Sequence, residues 1–257
     1  MKYNSIIYEK LDQGIIKITL NRPKSLNAIN NELGSELKMA FEEVLDDTDA
    51  SVGIITGAGR AFCAGADIKD PPFARGEDAM GSLWSIVRKI KIPLIAAVNG
   101  YAITAGFELA LACDIIIASE NAAFRDTHAL AGIIAGSSNQ CLPRLVGEKK
   151  AKEIIFTSEF LYAQEAEKIG MINKVVPPEK LDDETLLFAQ KIASQPRKMI
   201  QKLKQVIDTG MGMDYRTALM FEDLESELSV LSVSNAQFIN QGKIMKEGAQ
   251  AQLNTDQ

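Results

Sequence analysis

Histidine is almost missing from this sequence of 257 residues, where a single imidazole, His128, stands against 34 acidic and 28 basic side chains. A multi-histidine metal centre is thereby excluded, and scattered Asp and Glu do not replace one, so no metal is expected. Cysteine is nearly as scarce. Cys63, Cys113 and Cys141 make an odd set without C-x-x-C spacing, which reads as buried thiols rather than a zinc site or a disulfide framework. Long apolar runs are lacking too: Ile92 to Val98 and Leu109 to Cys113 fall far short of the ~18 residues of a spanning helix, so no membrane partner is expected. The start, Met1-Lys2-Tyr3-Asn4-Ser5, shows neither a continuous apolar stretch nor a small-residue cleavage site, and the expected setting is a reducing, cytoplasmic one. Positive charge is in deficit. With a net charge of -6 and no basic run, nucleic acid is not expected as a partner, and a polyanionic ligand needs a local positive patch.

What is present is ordinary globular composition, 46% hydrophobic and 24% charged, in a chain long enough to bury a large core without staples. Residues 14 to 20 set Ile16, Ile18 and Leu20 on one face and Lys17 and Thr19 on the other, the period of a half-buried strand. Leu33, Leu37, Phe41 and Val44 then recur at helical spacing. Val52 to Thr56 predicts a strand, Met80 to Ile90 an amphipathic helix stopped by Pro93, and Leu94 to Val98 a strand buried on both faces. Phe107 to Ala112 favours a helix and Ile115 to Ala118 another strand. From about residue 148 helix follows helix, with only Ile172 to Val176 reading as a strand. The pattern predicts an α/β core over residues 1–195 and a helical region over 196–257, whose last residues form a loose polar tail.

Three passages rich in small residues follow strands: Gly57 to Ala66, Gly100 to Gly106 and Ala131 to Ser138. In the first, Ala61-Phe62-Cys63-Ala64-Gly65-Ala66-Asp67-Ile68 lets backbone N–H groups approach a ligand, although a tight turn in a crowded core reads equally well. In the second, Ile103 to Glu108 opens a helix whose first amides lack intrahelical partners. Two such loops converging make an oxyanion hole. Glu108 lies one turn into that helix among Ala and Leu, either as a functional carboxylate or as an acid placed by the helix dipole. His128, within Phe124-Arg125-Asp126-Thr127-His128, reads on its own more readily as a structural residue than as a catalyst. Gly57-Ala58-Gly59 lacks the third glycine and the helix of a dinucleotide fingerprint, and neither a Walker loop nor a G-x-S-x-G elbow occurs.

Asn21-Arg22-Pro23 with Leu26-Asn27-Ala28, Ala64 to Ile68, Pro93 to Gly100, Gly106 to Ala110, Leu142 to Gly147 and Ala163 to Ala166 together resemble the enoyl-CoA hydratase/isomerase, or crotonase, family over roughly residues 5–200. The resemblance implies an α/β fold, a spiral of β-β-α units followed by a helical C-terminal region that builds homotrimers, usually paired into hexamers. It also implies an acyl-CoA substrate, with CoA part of that substrate and no separate cofactor. The thioester oxygen would then sit between the amides of Ala66 and Ala105, the latter standing where the family usually has Gly. Glu108 matches the first of two water-holding glutamates, and the second position falls on His128, a departure from the family pattern. Gly136 would help hold the water through its amide, although Ala135 replaces the usual proline. Ala64, Asp67 and Ile68 would contact the adenine, with Lys24 and Leu26 near the nucleotide entrance and Arg22 and Lys69 adding positive field. The implied reaction is hydration of a 2-enoyl-CoA. The alternatives are an enoyl-CoA isomerase, an acyl-CoA thioester hydrolase and a catalytically silent acyl-CoA-binding member.

Overall fold

The computed structural model describes residues 3–70 and 79–233, with Gly242. The chain divides into two compact units, Met1–Gln201 and Lys202–Gln257. In the first, strands β1 (Ile6–Lys10) and β2 (Ile15–Leu20) lead to helix α1 (Asn31–Asp46), then β3 (Val52–Gly57) and β4 (Ala61–Cys63) to α2 (Ala79–Val87). Next come β5 (Leu94–Val98), β6 (Tyr101–Ile103) and α3 (Ala105–Leu111), followed by β7 (Ile115–Ser119), β8 (Ala123–Arg125) and α4 (His128–Ala131). Helices α5 (Ser138–Val146), α6 (Glu148–Thr157), α7 (Ala163–Lys168) and α8 (Leu181–Ala193) alternate with the short strands β9 (Leu161–Tyr162) and β10 (Lys174–Val176). Helices α9 (Arg197–Gly210) and α10 (Tyr215–Leu231) follow.

Two sheets form. One runs β1-β2-β3-β5-β7-β10 and the other β4-β6-β8-β9. Within the first only β1–β2 is antiparallel, and in the second only β8–β9. The chain from β3 to β8 deposits one strand in each sheet by turns, so three strand pairs in succession step across from the large sheet to the small one. The loops that leave the small sheet, after β4, β6 and β8, therefore emerge side by side.

Burial follows the side-chain alternation of strands. Ile16, Ile18 and Leu20 join the main core with α1 and the aromatic pair Phe107 and Phe124, whereas Ile15 points to a second cluster with Ile54, Ile95, Ile117 and α8. Strand β5 is buried on both faces, Leu94, Ala96 and Val98 on one side and Ile95 and Ala97 on the other. Lys17, on the second face, is paired with Asp182 of α8 at 3.2 Å. Helix α1 starts where Asn30 accepts the Leu33 amide at 3.0 Å.

Several short elements correct the sequence-based expectations. Ala61–Cys63 is a strand within what reads as a loop, β8 and β9 pair across a segment with little alternation, and Ser138 opens α5. Strands of two or three residues carry too little pattern to be seen; their partners in the small sheet define them. Residues 202–233 hold the end of α9 and α10, joined by the Lys202–Glu225 ion pair, with Asp214 capping α10 through the Thr217 amide at 3.1 Å. The tail after Gly248 and the segment 71–78, expected to wall an acyl pocket, lie outside the described residues.

Candidate active site

The loops after β4 and β6 lie against each other. A Cβ placed on Gly65, whose φ is +97°, would meet the Ile103 carbonyl oxygen at 3.1 Å and Thr104 Cβ at 3.3 Å. One placed on Gly106 would come within 2.0 Å of the Cys63 carbonyl oxygen. Glycine at both positions allows the two backbones this approach. Ala66 stands in the first loop, bridged to Ile29, and Ala105 opens α3. Among the described residues, no acceptor takes the amide of Ala66, Ala105 or Gly136.

Ala105 has helical backbone, and the unusual conformation falls one residue earlier, on Thr104, with φ 52° and ψ −109°. Positive φ is costly for a β-branched residue. Three bonds hold it there: the Thr104 amide to the Arg125 carbonyl at 2.8 Å, the Thr104 hydroxyl to that of Thr127, and the Glu108 amide to the Thr104 carbonyl at 2.9 Å.

Glu108 is 2% exposed. Its Oε1 accepts the Ser137 amide at 2.6 Å, the Ser137 hydroxyl at 3.2 Å and the Ser138 amide at 3.3 Å. Its other oxygen, Oε2, faces His128 Nε2 at 3.6 Å. A Cβ on Gly136 would lie 3.1 Å from the Trp84 indole and 3.6 Å from Glu108 Oε1, so Gly136 passes between the indole and the carboxylate.

His128, itself buried, is backed by Asp126, which is fully buried. Asp126 Oδ1 accepts the His128 amide at 2.9 Å and lies 2.6 Å from His128 Nδ1, while Oδ2 accepts the Ser138 hydroxyl at 2.6 Å. Burial disfavours the imidazolium, but the hydrogen bond and charge of Asp126, joined by the charge of Glu108, outweigh it and raise the His128 pKa above its ordinary value. The Asp126 carboxyl is opposed by burial as well, and its bonds from His128 and Ser138 hold it below the usual carboxylate range. The structure thus brings Glu108 and His128 together. Asp126, Ser137, Ser138 and Trp84 were not foreseen there. An Asp two residues before the only His is the one local signal, since an Asx turn brings such a carboxylate onto the following amide.

Lys24 and Leu26 sit on the turn after β2, and Ala64, Asp67 and Ile68 on the loop after β4. The structure joins these segments: the Ala64 amide donates to the Leu26 carbonyl at 3.0 Å, and the Asp67 amide to the Ile29 carbonyl at 2.8 Å. Arg22 pairs with Asp67 at 3.0 Å, so its charge is partly neutralised there, while Lys24 and Lys69 are exposed and Ile68 is 92% exposed. Buried Asn27 ties the turn together, accepting the Arg22 amide at 2.8 Å and donating to the carbonyls of Ala58 at 2.9 Å and Ala61 at 2.7 Å. Among the described residues, no group of three or more His, Cys, Asp or Glu side chains gathers in a metal-holding arrangement, and no helix is long and apolar enough to cross a membrane.

Comparison with known proteins gives a consistent picture. A family model described as enoyl-CoA hydratase/isomerase matches residues 10–250. A probable mitochondrial enoyl-CoA hydratase of Dictyostelium discoideum is 42% identical over 80% of this chain and 76% of its own length. A short-chain-enoyl-CoA hydratase of Clostridium acetobutylicum is 40% identical over 86% of this chain and 88% of its own. The crystal structure of an enoyl-CoA hydratase from Bacillus anthracis superposes with a TM-score of 0.88 at 33% identity, covering 94% of this chain and 97% of that one.

Proposed function

The chain belongs to the enoyl-CoA hydratase/isomerase family, and from that premise we propose that it is a hydratase-type enzyme, adding water reversibly across the α,β double bond of a 2-enoyl-CoA thioester. The observation that carries this reading is the 3.6 Å approach of Glu108 Oε2 to His128 Nε2. A water hydrogen-bonded to both atoms sits at the apex of that gap, with the Gly136 amide as a third contact.

The thioester oxygen lies between the amides of Ala66 and Ala105. Loss of a single donor of this kind costs ~10²- to 10³-fold in rate, so two preorganised amides supply a large share of the catalysis. As the water oxygen bonds to the β carbon, Glu108 takes its proton and the electron pair of the double bond moves onto the thioester oxygen as an enolate. The imidazolium of His128 then protonates the α carbon, and the proton on Glu108 passes to Nε2, restoring both groups. CoA lies along Lys24, Leu26, Ala64, Asp67 and Ile68. Because the amides of Ala64 and Asp67 are spent within the protein, these two meet the adenine through their carbonyls.

The alternation of strands between the two sheets supports the spiral of β-β-α units. Exposed Leu203 and Ile207 of α9, with Leu224 and Leu228 of α10, support a homotrimeric or hexameric assembly through the C-terminal helical region. We place the enzyme in the cytoplasm, where its three thiols stay reduced.

Mixing the protein with 2-enoyl-, 3-enoyl-, saturated and 3-hydroxyacyl-CoA thioesters and recording product mass tests the reaction. Gain of one water on the 2-enoyl thioester is expected. Release of free CoA, migration of the double bond without a mass change, or binding without turnover would replace hydration with hydrolysis, isomerisation or a silent role.

A further inference from the structure

Four residues close a ring of polar contacts around the proposed reacting groups. Glu108 Oε2 faces His128 Nε2 at 3.6 Å, His128 Nδ1 meets Asp126 Oδ1 at 2.6 Å, and Asp126 Oδ2 accepts the Ser138 hydroxyl at 2.6 Å. The Ser138 amide returns to Glu108 Oε1 at 3.3 Å. We propose that Asp126 is a positioning residue for hydration, holding the His128 ring in the tautomer that keeps a proton on Nδ1 and turns Nε2 toward Glu108 and the substrate. The proposal rests on the roles given above to Glu108 and His128.

The geometry selects this tautomer. A carboxylate oxygen and an unprotonated ring nitrogen 2.6 Å apart would set two lone pairs against each other inside a buried site, whereas a proton on Nδ1 turns the contact into a charge-assisted hydrogen bond. The same carboxylate oxygen also accepts the His128 amide, so backbone and ring of one residue are fixed by one atom. Ser138 engages the second oxygen, so the carboxylate is anchored on the side away from the ring as well. Nε2 is then the only ring atom free to trade protons. In the forward reaction the Nε2–H bond breaks as the α carbon gains its hydrogen, and Nε2 recovers a proton from Glu108 Oε2, so one water is added and the enzyme is unchanged. Asp126 stays ionised throughout, as an orienting carboxylate behind a catalytic imidazole does.

Among the described residues two charges bear on the ring, Asp126 from the turn before α4 and Glu108 from α3, both favouring the cation that burial opposes. On α5, Cys141 feels Glu108, and burial pushes its thiol up, so it is neutral. Helix α6, packed against α4, spends charge on exposed pairs, Lys150 with Glu153 and Lys152 with Glu148.

Because His128 is the chain's only histidine, the full-length protein labelled with ¹⁵N-histidine gives a single pair of ring nitrogen signals. In the wild type the neutral ring is expected to carry its proton on Nδ1, and this reading needs no variant to fold. A neutral ring protonated on Nε2 overturns the proposal. In Asp126→Asn the ring titration is expected to move at least ~1 pH unit lower, the alkaline limb of kcat for 2-enoyl-CoA hydration to move with it, and kcat to fall ~10²- to 10⁴-fold with KM changed less than about threefold. A titration and an alkaline limb unmoved from wild type would leave Asp126 a merely structural residue and overturn the proposal. Failure of the underlying reading is separate: it shows as wild-type kcat in His128→Gln, whatever the ring signals report.

Discussion

The hydroxyls of Thr104 and Thr127 are hydrogen-bonded to each other, so the residue before His128 holds the residue before Ala105. Register puts them there, since β6 and β8 pair with Ile103 opposite Arg125 and the Thr104 amide continues the ladder to the Arg125 carbonyl. Thr104 carries backbone strain of a kind that costs ~1–3 kcal/mol and persists only where the surroundings impose it. One four-residue passage, Arg125 to His128, thus sets both the amide proposed to bind the thioester oxygen and the ring proposed to move the proton. The proposed anion site and the proposed proton site are therefore tied together through Thr104 and Thr127.

Thr127→Val removes the hydroxyl and keeps the β-branched shape. The loss of one intramolecular hydrogen bond is expected to cost ~0.5–1.5 kcal/mol of stability. Because the strain on Thr104 is then less well opposed, kcat is expected to fall about tenfold or more, a loss of roughly 1.4 kcal/mol in the barrier. Chemical denaturation and steady-state hydration assays check the two effects, and wild-type kcat in a destabilised variant would uncouple them.

Glu108→Gln keeps an oxygen for the Ser137 and Ser138 donors but cannot accept the proton of water. Turnover is expected to drop ~10²- to 10⁴-fold while affinity for an unreactive acyl-CoA, measured by calorimetry, stays within about threefold. Turnover equal to wild type would remove Glu108 from the chemistry.

Gly106→Ala tests the approach of the two loops. Its Cβ would lie 2.0 Å from a main-chain oxygen of Cys63, which no side-chain rotation relieves. The loops must part, at a cost of ~1–3 kcal/mol or more in overpacking. If Ala66 and Ala105 bind the oxygen together, kcat falls far beyond what the lost stability explains. Thermal melts beside kinetics at a temperature where the variant is fully folded separate the two.

Much of this was readable in the chain before any coordinates. Strand β5, apolar on both faces, and β2, apolar on one, declare themselves by alternation, and α1 by its Leu33, Leu37 and Phe41 spacing. Glu108 stands out as an acid among Ala and Leu. The strands of the small sheet did not show, because two or three residues hold no period and their pairing is long-range. For the same reason Asp126 and Ser138 could not be placed: twelve positions separate them in sequence, and only the fold of 127–137 into a short helix and a turn closes the 2.6 Å contact. Thr104 gives no warning either, since a β-branched residue is a poor choice for positive φ and only its neighbours make it adopt one. Local chemistry is written in composition and spacing; strain and hydrogen-bond closure appear with tertiary contacts.

The pH dependence of stability carries the sign of the Asp126–His128 interaction. His128 has its pKa raised in the fold, so its contribution is complete below the unfolded value of ~6.5 and is lost as pH rises through the folded value. Asp126 is lowered, so its contribution is present above the unfolded value of ~3.9 and is lost as pH falls through the folded value. The two coexist between about pH 4 and 6.5. Thermal melts of wild type and His128→Gln, compared at each pH so that the other carboxylates cancel, are expected to show the largest gap in that window, narrowing on the alkaline side as the imidazolium gives up its proton. A gap that instead widened between about pH 6 and 9 would mean that folding penalises the cation, with burial outweighing both carboxylates, and His128 would then enter the reaction as a neutral ring rather than as the acid that protonates the α carbon.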